Sequence, residues 1–85
     1  MNIFEQKNSQ LVTEFDRYVQ QHPQFTEVIP KGAVVVMQLQ GDEPFNEWSR
    51  QVAQRQAEPG QAIVFVRIKK LRPIQSRIEE LEIAA

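Results

Sequence analysis

At 85 residues, with a formal net charge of −1 and no cysteine, this chain fits one small domain and excludes disulfides and thiolate metal centres. No apolar run approaches the ~20 residues of a membrane helix. Met1-Asn2-Ile3-Phe4-Glu5 lacks the basic and apolar regions of a secretion signal, so a soluble cytoplasmic protein is expected.

Phe4, Leu11, Val12, Phe15, Tyr18 and Val19 recur at helical spacing, with Glu5, Lys7, Glu14 and Arg17 largely between them. The pattern predicts an amphipathic helix over 3–21. His22-Pro23 ends it, because a residue before proline is pushed out of the helical region. Phe25, Val28 and Ile29 make a short helical turn or compact loop closed by Pro30, and Lys31-Gly32 is a turn. Ala33 to Leu39 reads as the first strand. Its apolar residues are consecutive, the pattern of a parallel sheet covered on both faces. Gly41-Asp42-Glu43-Pro44 breaks the strand. Asp42 suits the N-cap of a second helix and Pro44 its first turn. Phe45, Trp48, Val52 and Gln56, with Ala53 alongside, give that helix its apolar face, to about Glu58. Pro59-Gly60 stops it.

The second strand runs from Ala62 to about Lys70, opens on Ala62-Ile63-Val64-Phe65-Val66, and is also expected to be buried on both faces. Ser76 lies three residues before Glu79, as in a capping box, and Ile74, Ile78 and Leu81 follow helical spacing. A short C-terminal helix from about Arg77 is therefore expected. The fold class is α/β: one domain over 1–85 in the order α-β-α-β, built on a βαβ unit with two parallel strands, with 73–85 as a C-terminal arm. Two strands are a poor sheet alone, so completion by homo-oligomerisation is expected.

Charge is unevenly spread. Up to Gly60 eight acids oppose five bases, a net −3; from Gln61 five bases oppose three acids, a net +2. Those five bases, Arg67, Lys69, Lys70, Arg72 and Arg77, are the candidate partner-binding residues. They would attract an acidic protein surface, or the phosphates of a nucleic acid. They would equally keep a strand end from aggregating. Arg67 and Lys69 share one face if the strand reaches that far.

Other motifs carry less. Gly41-Asp42-Glu43 lies past the carboxyl end of the first strand, where α/β folds favour ligands, yet a helix cap explains it too. His22 is the single histidine, beside no sequence-adjacent carboxylate or nucleophile. Ser9, Ser49 and Ser76 lack a nucleophile-elbow context. Trp48 with Phe45 is either an interface anchor or helix-to-sheet packing. No phosphate-cradling glycine motif is present. No catalytic residue, cofactor or metal site is expected, and the chain reads as a non-enzyme.

Phe15-Asp16-Arg17-Tyr18-Val19, His22-Pro23 and Ile29-Pro30 precede an apolar strand and a helix. Ile63-Val64-Phe65-Val66-Arg67-Ile68-Lys69-Lys70-Leu71-Arg72-Pro73 and Ser76-Arg77 follow. In this order the chain resembles a family of short bacterial proteins of unknown function, common in cyanobacteria. The resemblance covers most of the chain and transfers no site. Some small bacterial proteins of this size are antitoxins of toxin–antitoxin pairs. The expected function is a protein–protein interaction module, an antitoxin-like or adaptor subunit. The alternative is a nucleic-acid-binding accessory protein using 67–77.

Overall fold

The computed structural model describes residues 2–84. Helix α1 spans Ile3–Gln21 and a 3-10 turn covers Pro23–Val28. Strand β1 is Val34–Leu39, helix α2 Glu43–Gln56 and strand β2 Ile63–Ile68. This is a small α/β domain with a two-stranded parallel sheet packed by helices. Among the described residues no helix is long and apolar enough to cross a membrane.

Each boundary has a local cause. The Asn2 side chain accepts from the Glu5 N–H (2.8 Å), satisfying a donor that the first turn of α1 leaves free. At the other end the His22 N–H donates to the Tyr18 and Val19 carbonyls. Gly41 at φ 91° turns the chain out of β1, a conformation that costs glycine nothing. The Asp42 side chain then accepts from the Phe45 N–H (3.3 Å) and starts α2.

The strands pair in register from Val34 opposite Ile63 to Leu39 opposite Ile68. Met37 and Val66 are therefore neighbours on one face, as are Leu39 and Ile68. Against that face pack Leu11, Phe4 and Phe15 of α1 and Phe45 and Trp48 of α2, forming the core. Phe45 is fully buried. Its ring lies 6.3 Å from Phe4 and 5.9 Å from Trp48, while Phe4 stacks on Trp48 at 5.7 Å.

Two expectations are corrected. β1 is buried across Val36, Met37 and Gln38, but β2 is covered on one face only, and Phe65 is 49% exposed. α1 supplies one layer, and α2 lies along β1, so nothing reaches the second face of β2. The C-terminal helix is absent: 69–84 have no regular secondary structure. Ser76 Oγ accepts from the Ile78 N–H (3.2 Å), a tight local turn, in place of the capping bond expected with Glu79. With no surface to bury Ile74, Ile78 and Leu81 against, so short a helix cannot offset its nucleation cost.

Candidate interaction surface

The two edges of the sheet are treated differently. Val34 N–H donates to Ala62 O (2.8 Å) and Gln40 N–H to Ile68 O (2.9 Å). Residue parity along β1 therefore directs the peptide groups of Val35, Met37 and Leu39 away from β2. Helix α2 closes the Met37–Leu39 end of that edge. Asn46 Oδ1 accepts from the Leu39 N–H (2.7 Å), and Asn46 Nδ2 donates to the Leu39 carbonyl (2.8 Å). Ser49 Oγ donates to the Met37 carbonyl (2.8 Å). Gln38 Nε2 donates back to the Asn46 carbonyl (3.2 Å). Asn46, Ser49 and Gln38 are all buried. They are the polar groups that a buried strand edge requires.

At β2 the same parity directs the N–H and C=O groups of Ile63, Phe65 and Arg67 outward. They have no hydrogen-bond partner among the described residues, and the sheet ends there. Phe65 stands half exposed at the centre of this edge.

The basic residues follow. Arg67 lies in β2 and is exposed; Lys69 and Lys70 fall just past Ile68, where the strand ends. Lys69 therefore does not share a strand face with Arg67. Arg72 and Arg77 lie on the arm, also exposed. Elsewhere three cations are paired: Lys7 with Asp42, Arg17 with Glu14 (3.2 Å) and Arg50 with Glu47. The hydrogen bond between the last two holds the Glu47 carboxyl below and the Arg50 guanidinium above its ordinary value. None of Arg67, Lys69, Lys70, Arg72 and Arg77 has an ion-pair partner among the described residues. The structure gathers Arg67, Lys69 and Lys70 at one strand end and carries Arg72 and Arg77 outward.

The arm projects from the domain. The molecule measures 63 × 31 × 22 Å with a radius of gyration of 16.7 Å, against about 12 Å for a compact chain of this length. Every residue from Lys69 to 84 is exposed, including Leu71, Ile74, Ile78, Leu81 and Ile83.

The remaining candidates resolve into structural roles. Asp42 caps α2 and also accepts from Lys7 Nζ, a hydrogen bond that lowers its pKa against the opposing effect of burial, with the Phe45 N–H assisting. His22 closes α1; its Nδ1 lies 2.9 Å from the Tyr18 carbonyl and its ring stacks on Tyr18 at 4.0 Å. Trp48 and Phe45 pack the core. A shallow hollow between Asn8, Val34–Val36 and the Trp48–Gln56 side of α2 holds about 70 Å³, far below the several hundred of a typical ligand pocket, and a wider one of about 280 Å³ beside Ser9, Thr13 and Arg17 is an open surface groove. Among the described residues no group of three acidic, histidine or cysteine side chains is placed to share a metal ion.

Sequence reasoning missed Asn46 and Ser49. The available signal was a line of small or polar residues, Asn46, Ser49 and Ala53, at helical spacing beside the Phe45–Trp48–Val52 stripe.

The chain belongs to a family of unknown function, DUF5647, whose model matches residues 3–81. No curated protein and no solved structure matches it.

Proposed function

We propose that this chain is a non-enzymatic protein–protein interaction module, an antitoxin-like or adaptor subunit of the cytoplasm. It holds its protein partner with the C-terminal arm and the basic strand end. The observation that carries the reading is the exposed arm. Five large aliphatic side chains between Leu71 and Ile83 lie in water within thirteen residues. Apolar surface gains roughly 25 cal/mol per Å² on leaving water, and contiguous exposed apolar stretches mark binding segments.

The arm has the sequence to order on a partner. Ile78 and Leu81 would share one face of a helix beginning at Arg77, with Ile74 just ahead of it, the pattern of a helix laid in an apolar groove. Ser76 and Glu79 would then supply the N-terminal cap. Ordering on contact costs entropy that the buried stripe offsets. Arg67, Lys69, Lys70, Arg72 and Arg77, without ion-pair partners among the described residues, add positive charge beside the stripe, which favours an acidic rim around that groove and speeds encounter.

The unpaired cations also favour a second reading, a nucleic-acid-binding accessory protein using 67–77. The test is a tagged pull-down of the full chain and of a chain ending at Arg72, with and without nuclease, read by mass spectrometry. The proposal expects one stoichiometric protein held by the full chain after nuclease and lost from the truncated one. Binding unaffected by truncation sinks it. Recovery that collapses on nuclease treatment supports the second reading.

A further inference from the structure

The bare edge of β2 is a second surface, separate from the arm. We infer that it pairs antiparallel with β2 of a second copy of this chain, joining two two-stranded sheets into one of four strands. The argument begins with asymmetry. α2 spends the buried side chains of Asn46 and Ser49 on covering the β1 edge at Met37 and Leu39, so the edge open along its whole length is that of β2. There the peptide groups of Ile63, Phe65 and Arg67 point outward without partners among the described residues. An open, apolar edge is a template for another strand.

The chain's own arm does not fill it. Among the described residues the arm makes no hydrogen bond to β2, and Pro73 lacks the donor that a ladder needs.

A second copy fits by pattern and by charge. Antiparallel pairing about Phe65 sets Phe65 opposite its symmetry mate and Ile63 opposite Arg67. The outward peptide groups of each pair then exchange both hydrogen bonds. The half-exposed phenyl rings meet on the uncovered face as an aromatic cross-strand pair. The same register keeps Arg67 from opposing Arg67. Parallel pairing would instead bring Lys69, Lys70 and Arg72 of both copies to one end, stacking like charges. The interface is self-complementary, as a two-fold contact must be.

The experiment is sedimentation equilibrium of the full chain across the micromolar range, repeated for Phe65→Lys. The native chain is expected to sediment as a dimer. Phe65→Lys opposes two ammonium groups and removes the ring pair, and is expected to weaken the dimer about tenfold or more. Phe65 is half exposed, so circular dichroism should show an unchanged fold. Should that variant unfold, Phe65→Cys provides the second arm. The chain has no other cysteine, and mild oxidation should yield a covalent dimer, since opposed residues on paired strands lie within disulfide reach. A monomer at every concentration overturns the inference. So does a dimer unmoved by Phe65→Lys, or one lost on removing the arm beyond Arg72 while Phe65→Lys leaves it intact.

Discussion

Replacing Asn46 with alanine tests whether α2 closes the edge of β1. The side chain is 6% exposed and makes two short hydrogen bonds to one residue, at 2.7 Å to the Leu39 N–H and 2.8 Å to its carbonyl. Alanine strands both groups. A stranded buried peptide group costs about 1–3 kcal/mol. Leu39 is half-buried, so water reaches part of the site and the low end applies to each group. The pair then costs about 2–3 kcal/mol. For a domain of this size that is a fall in Tm of roughly 8–24 °C. Ser49→Ala removes one bond, to the Met37 carbonyl, and should cost about 1 kcal/mol. The assay is urea unfolding followed by far-ultraviolet circular dichroism at one fixed protein concentration, because self-association would add to apparent stability. An Asn46→Ala midpoint within about 0.5 kcal/mol of the native chain would refute the edge-closing role.

The fully buried Phe45 should be more costly to truncate than the half-buried Trp48. Expected losses are about 3–5 kcal/mol for Phe45→Ala and somewhat less, about 2–4 kcal/mol, for Trp48→Ala, read from the same urea midpoints. Asp42 should make the fold acid-sensitive. Its carboxyl is held below its ordinary value, so its contribution is complete above the unfolded pKa of about 3.9 and is lost as pH falls through the lower folded value. Asp42→Asn should flatten that part of a stability-versus-pH curve; an unchanged curve would deny the Lys7 pair its role. Ending the chain at Arg72 should leave Tm unchanged, because among the described residues the arm makes no hydrogen bond to the domain. It should also lower the radius of gyration measured by small-angle scattering. A destabilised truncation would mean that the arm packs on the domain in solution.

The elements of the domain were legible because their signals are local. The helical spacing from Phe4 to Val19 and the His22-Pro23 stop give α1 as observed. Asp42 and Pro44 give the start of α2 to the residue. Layering was not legible. Consecutive apolar residues in β2 imply two covered faces, but one helix layer and a crossover helix beside β1 leave Phe65 in water. The sequence also placed the buried face of α2 on Phe45, Trp48, Val52 and Gln56 with Ala53 alongside. Phe45 and Ala53 are buried, but the buried face widens to Asn46 and Ser49, because the helix meets a row of peptide groups there. Hydrophobic periodicity is blind to a helix whose packing partner is a polar edge. The arm misled for the converse reason: Ile74, Ile78 and Leu81 carry a helical period, but the domain offers them nothing to cover. For the candidate interaction surface, the five basic residues could be read from the sequence. The bare backbone beside Arg67 needed the sheet.

The closure of β1 by α2 also bears on the order in which the chain assembles. Asn46 reaches Leu39 across seven positions and Ser49 reaches Met37 across twelve. Val34 must find Ile63 across twenty-nine. Bringing together ends four times farther apart costs about 1 kcal/mol more in loop entropy, so the β1–α2 unit should form early and β2 join late. Asn46→Ala and Ser49→Ala should slow folding, whereas Val64→Ala and Val66→Ala should mainly speed unfolding. Synthesis runs in the same direction, so β1 and α2 emerge before β2 exists. The nascent strand then has the Met37–Leu39 end of one edge already covered, while the edge that β2 will occupy stays open to a neighbouring chain.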